Sequence, residues 1–224
     1  MELSVAKPSP AAPEVRVVSG PGTRVDVGAA VELAAMFALV MAFIWFVHVS
    51  APGLIVVPLA LVIGSWVARR DTLRTVGLHP ADFDETGDLG MMTAVAVAAM
   101  ALAAGLVNPE FTRQGQSVVD LGKGVLKYYG WALFQQLFLL GYFANRLHRA
   151  WPRPVLTAVV AGLLFSVTHI PNPVLMAATF AGGALGAWFF LRSRNLYPLA
   201  LAHAVLAVAI RYLFESSMKV GPGG

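Results

Sequence analysis

Apolar runs of membrane length limit this chain more than any other feature of its sequence. Seven of them follow one another, at 29–49, 52–68, 89–107, 125–144, 155–171, 174–191 and 198–214. A helix crossing a bilayer needs ~20 mostly apolar residues. Hydrophobic residues make up 58% of the chain and charged residues only 12%, whereas soluble domains lie near half and a quarter. The expected fold is all-α: a polytopic membrane helix bundle of about seven transmembrane helices, within a range of six to eight. The second run is the weakest of the seven. Ser50-Ala51-Pro52-Gly53 leaves little room to turn, so runs one and two can also form a re-entrant hairpin.

Residues 1–28 read as a disordered cytoplasmic tail, with Pro8, Pro10, Pro13, Gly20, Pro21 and Gly22 among scattered charges. They lack the basic-then-apolar start of a signal peptide. One transmembrane domain is expected over 29–215, followed by a short disordered tail over 216–224. With the N-terminus inside, inner segments carry Lys7, Arg16, Arg24, Arg69, Arg70, Arg74, Arg146, Arg149, Arg153, Arg192 and Arg194. Outer segments carry Arg113, Lys123, Lys127, Arg211 and Lys219. Eleven against five is the bias expected of an N-inside protein. The net charge of +4 therefore belongs to loops at a membrane, and no basic–aromatic pattern points to nucleic acid. The polar connection 69–88 reads as a solvated cytoplasmic loop. There is no cysteine, which excludes disulfides, thiolate catalysis and cysteine-based metal sites.

Polar groups in hydrocarbon are costly and mark functional sites by default. Within the runs these are Glu32, Gln135, Gln136, Ser166, Thr168, His169, Thr179 and His203, while Arg211 and Glu215 lie near an end. Glu32 is one turn into the first run and is expected to reach back to the inner boundary. Gln135 and Gln136 lie ~15 Å before Arg146, near mid-membrane. Adjacent helical residues point ~100° apart, so one amide can face a cavity while the other braces a neighbouring helix. His169 has Phe165 one turn back on the same face. Two histidines on separate runs and a glutamine pair on a third make a polar constellation, in which imidazole can act as acid, base or metal ligand.

Three motifs in order carry a resemblance: "QQLFLL" (135–140), "FSVTH" (165–169) and "HAVLA" (203–207). They resemble the CAAX-protease and bacteriocin-processing (ABI) family of intramembrane endopeptidases over roughly residues 70–215. That family's pattern is Glu-Glu-x-x-x-Arg, Phe-x-x-x-His and His-x-x-x-Asn. Gly141 and the "YPLALAHA" lead-in to the third motif look like family features as well. Phe165, His169 and His203 match outright. Gln135 and Gln136 stand where the family has two glutamates, Leu140 where it has arginine and Ala207 where it has asparagine.

The resemblance implies peptide-bond hydrolysis by a water that a glutamate and a histidine activate. It also implies a membrane-embedded or lipidated protein substrate, contacted here by Phe165. A neutral amide cannot take a proton from water, so His169 or His203 would supply the base and a glutamine would orient a group. The rival reading is a catalytically inactive member that scaffolds partners or binds a peptide or lipid tail. A transporter fits less well, because no inverted repeat and no charged pathway appear. Ser166 with His169 lacks the motifs of a serine protease. Two histidines without a carboxylate under-ligand a metal, so no cofactor is expected. The expected setting is the bacterial inner membrane, with the N-terminus in the cytoplasm.

Overall fold

The computed structural model describes residues 26–47, 50–79, 86–107 and 118–213. Both expected tails, and Glu215, lie outside them apart from residues 26–28. Among the described residues the structure is all helical. Asp26 caps the first helix, accepting from Ala29 N–H at 2.9 Å. Helix α1 (Val27–Ala42) runs on through a π-helical turn (Phe43–Val47). A 3₁₀ turn led by Pro52 (Pro52–Ile55) opens α2 (Val56–Ala68). Then come α3 (Thr86–Val107), α4 (Val118–Gln136), a π-helical stretch (Leu137–Ala144) and α5 (Asn145–Ala150). The last three form one continuous rod. Helices α6 (Pro154–Val167), α7 (Pro173–Ser193) and α8 (Leu196–Leu213) complete the bundle.

Among the described residues, seven helical rods thus overlap the seven apolar runs, the fourth extending beyond its run at both ends. Two of them, Val27–Val47 and Pro173–Ser193, are long and apolar enough to cross a membrane by length and composition. The fifth run ends early. Pro171 and Pro173 disfavour helix in the residues before them, and α6 stops at Val167. Fourteen residues rise only ~21 Å.

The buried core centres on the π-helical stretch. Leu140, Tyr142 and Ala144 are fully enclosed, with Phe190 and Leu196 around them. Helices α6 and α7 make the most extensive pairing. Their backbones approach through Gly162 and Gly183: a Cβ on Gly162 would lie 2.6 Å from the Phe180 carbonyl oxygen.

Two expectations about charge are corrected. The first half of the 69–88 connection is docked through Asp71, Val76 and Gly77, while Arg70, Thr72, Leu73 and Arg74 stay exposed. Val76 is buried, Gly77 (φ 83°) fits against Phe190 and Leu196, and the Gly77 carbonyl accepts from Leu196 N–H at 3.0 Å. Asp71, with its side chain 1% exposed, pairs with Arg146 at 2.8 Å and with Arg149. Glu32 does not simply reach for the boundary. It accepts from Ser65, from Arg69 Nε at 2.8 Å, from the Tyr142 hydroxyl at 3.0 Å and from Arg146 Nε at 3.2 Å. Arg146, counted above as a loop charge, is fully buried. The physical reason is desolvation: buried charges persist only when paired and hydrogen-bonded. These ties place the start of α1, the end of α2, the docked loop, α5 and the α7–α8 turn at one end of the bundle. Most of the arginines gather there.

Candidate functional site

Each polar group of the constellation has a local cause for its position. Phe165 and His169 are four residues apart, so helical spacing stacks them, with ring centroids 5.0 Å apart and edge to face at 85°. His169 stands just past the end of α6, in a turn fastened on both sides. Its N–H donates to the Ser166 carbonyl at 2.9 Å, and its own carbonyl accepts from Asn172 N–H at 3.0 Å. Asn172 then caps α7, accepting from Leu175 N–H at 3.0 Å. His203 lies seven residues into α8. That helix packs along α4, where the Tyr129 hydroxyl donates to the Tyr197 carbonyl at 3.4 Å.

Gln136 closes α4 at the point where the rod widens into its π-helical stretch. Such widened turns recur at functional sites. The residue is 5% exposed, and its Nε2 lies 3.1 Å from His203 Nδ1. An amide offers a donor and an acceptor, so it can serve either tautomer of the ring. When the Gln136 N–H donates, His203 carries its proton on Nε2. Gln136 Oε1 is buried without a donor among the described residues.

Phe165 links the two histidines. Its ring centroid is 5.0 Å from His169 and 5.6 Å from His203. The His169 tautomer follows from its partners. The Thr168 hydroxyl donates to the Phe165 carbonyl at 2.7 Å, and the same carbonyl lies 2.8 Å from His169 Nδ1. A carbonyl only accepts, so Nδ1 carries the hydrogen and Nε2 keeps its lone pair.

Gln136, Phe165, His169 and His203 are therefore neighbours, drawn from three helices and one turn. The early end of α6 makes this possible: with α6 only ~21 Å long, His169 stops short of the far end and can share Phe165 with His203. Gln135 is turned aside. It accepts from the Tyr128 hydroxyl at 3.4 Å on its own helix. Tyr128 was missed by sequence reasoning, yet its ring lies 6.0 Å from His203. Its spacing of seven from Gln135, two helical turns on one face, is the signal that could have found it. Ser166 is buried, and Thr179 donates to the Leu175 carbonyl of its own helix at 2.7 Å. Leu140, in the place of the family's arginine, is fully buried, and Ala207 is partly exposed. Among the described residues no three histidine or carboxylate side chains come together as metal ligands.

Residues 121–209 match the family model "Type II CAAX prenyl endopeptidase Rce1-like". The matched segment holds Gln135, Gln136, Phe165, His169 and His203. It leaves out Glu32, Ser65 and Asp71. No curated protein and no solved structure matches the chain.

Proposed function

We propose that this chain is a membrane-embedded endopeptidase of the CAAX type, acting on a lipidated or membrane-inserted peptide near mid-membrane. The observation that carries this reading is the Gln136–His203 contact at 3.1 Å, with both histidines resting on Phe165. All seven helical rods span the bilayer in this reading, and the arginine-rich end faces the cytoplasm.

His169 Nε2 is the base that takes a proton from the attacking water and returns it to the leaving amine nitrogen as the C–N bond breaks. Its Nδ1–H bond to the Phe165 carbonyl fixes the tautomer that this requires. His203, oriented by Gln136, presents an Nε2–H to the oxyanion that forms on the substrate carbonyl. Glu32 is not a candidate base, because its carboxylate already receives bonds from Ser65, Arg69, Tyr142 and Arg146.

The glutamines themselves favour the second reading, a catalytically inactive relative that holds a peptide or lipid tail. One experiment separates the two. Membranes containing the full-length protein are offered a prenylated CAAX-type peptide, and release of its last three residues is measured. Cleavage by the natural chain that falls at least ~100-fold in His169→Ala and in His203→Ala supports the enzyme. A silent natural chain with cleavage appearing in Gln136→Glu supports the inactive relative.

A further inference from the structure

A second polar site lies at the arginine-rich end, away from His169 and His203. A cavity of about 320 Å³ is lined by Arg74, Thr75, Asn145, His148, Arg149 and Arg194. These residues come from three separate parts of the chain: the docked loop after α2, helix α5 and the turn between α7 and α8. Among the described residues, positive charge here exceeds negative charge. Asp71 is shared between Arg146 and Arg149. Among the described residues, Arg74 and Arg194 have no acidic partner within ion-pair distance.

Arg194 is built in, not loosely placed. Its guanidinium donates to Asn145 Oδ1 and lies 5.2 Å from the centre of the Phe190 ring. Asn145 is buried and held in turn, donating to the Thr75 carbonyl at 2.7 Å and the Gly141 carbonyl at 2.8 Å. The backbone at Arg194 is left-handed, with φ 50° and ψ 36°. That region suits glycine or asparagine, and a longer side chain there costs free energy. Burial, then the neighbouring Arg149, pull the guanidinium below its ordinary range. Burial, then Arg194, likewise lower His148. Each of these groups is thus partly buried among cations. A helix C-terminus favours one cation within its last turn, and Arg149 answers Asp71, which leaves Arg74 and Arg194 beside one cavity without a counter-charge among the described residues.

We propose that this cavity binds a phosphate group, with Arg194, Arg149 and Arg74 supplying the charge and His148 supplying a hydrogen bond. Arginine forks match phosphate oxygens in pairs, and charge-assisted bonds of this kind are the strong ones. Two sources share the chemistry: the headgroup of an anionic phospholipid and free inorganic phosphate. The site is independent of the endopeptidase reading, since it needs neither His169 nor His203.

The test uses the full-length protein in a neutral detergent at constant ionic strength. Its thermal unfolding midpoint is followed while inorganic phosphate is added in one arm and phosphatidylglycerol in the other. A saturable rise in either arm, about tenfold weaker in Arg194→Gln and in Arg74→Gln, is the expected result. Saturation by phosphate alone identifies the free anion as sufficient, and saturation only by phosphatidylglycerol identifies the headgroup. Arg74 makes no side-chain hydrogen bond that folding depends on, so Arg74→Gln keeps the test readable if Arg194→Gln does not fold. The exposed Arg153 is the control, and Arg153→Gln keeps the natural response. The proposal is overturned if neither arm saturates, if Arg74→Gln responds like the natural chain, or if Arg153→Gln weakens the response equally.

Discussion

At the scale of single residues, Gln135 and Gln136 are adjacent in sequence and unlike in surroundings. Gln136 is buried against His203. Gln135 is half-buried and bonded to Tyr128 on its own helix. Replacing Gln136 by leucine removes the group that orients His203, so the proposed cleavage should fall about tenfold or more, as expected when a positioned hydrogen bond is lost. Gln135→Leu removes only a long intrahelical bond and should leave the rate within about twofold. The measurement is the peptide-release rate of each variant against the natural chain. Equal losses would mean that the two amides act together and that the geometry assigns them wrongly. Much of this was legible in the sequence. The ~100° between neighbours already separated the two amides, and the spacing of four already stacked Phe165 on His169. The role of Tyr128 was not legible, because its ring reaches His203 through the packing of α4 on α8, which no local pattern encodes.

At the scale of elements, the apolar runs foretold the helices but not how they end or touch. Length and hydropathy placed every rod, because a run long enough for a membrane is also a helix. The end of α6 was missed by four residues, although two prolines stood beyond it. The docked loop was missed because its ties are distant: Gly77 meets Leu196, and Asp71 meets Arg146 and Arg149. Close approach of α6 and α7 gives a test at this scale. A methyl group on Gly162 would meet the Phe180 carbonyl at 2.6 Å, whereas one on Gly182 meets nothing within 4 Å. Both glycines are helical, so alanine gains ~0.5–1 kcal/mol of helix preference at either position. At Gly182 that gain stands alone, and Gly182→Ala should be neutral or slightly stabilising. At Gly162 overpacking costs ~1–3 kcal/mol and outweighs it. Gly162→Ala should therefore lower the thermal midpoint. A rise in both variants would show that the two helices separate freely.

At the scale of the whole molecule, one charged network ties the N-terminal hairpin to the rest of the bundle. Glu32 on α1 accepts from Ser65 and Arg69 at the end of α2 and from Tyr142 and Arg146 on the long rod. Arg146 passes the tie to Asp71 in the docked loop. The uneven spread of arginines foretold which segments share an end, but not that some of those charges lie inside. Glu32 and Arg146 are 114 residues apart, and sequence alone offers no reason to pair them. Their energetic weight follows from burial. Arg146 is fully enclosed and Asp71 nearly so, so removing Glu32 leaves a buried guanidinium short of charge and strands the donors of Ser65, Arg69 and Tyr142. Breaking a fully buried pair costs ~3–5 kcal/mol, and here the loss is smaller, because Glu32 is partly exposed and Asp71 stays beside Arg146. The Asp120–Lys123 pair is the contrast: it is exposed, 3.5 Å long and worth little. Glu32→Ala should lower the thermal midpoint of the purified protein markedly, while Lys123→Ala leaves it unchanged. Because the network joins the hairpin to the site-bearing rod, proteolysis should also cut the docked loop of Glu32→Ala earlier than that of the natural chain. If Glu32→Ala unfolds at the natural temperature, the hairpin is held by apolar packing alone and the network does not carry the assembly.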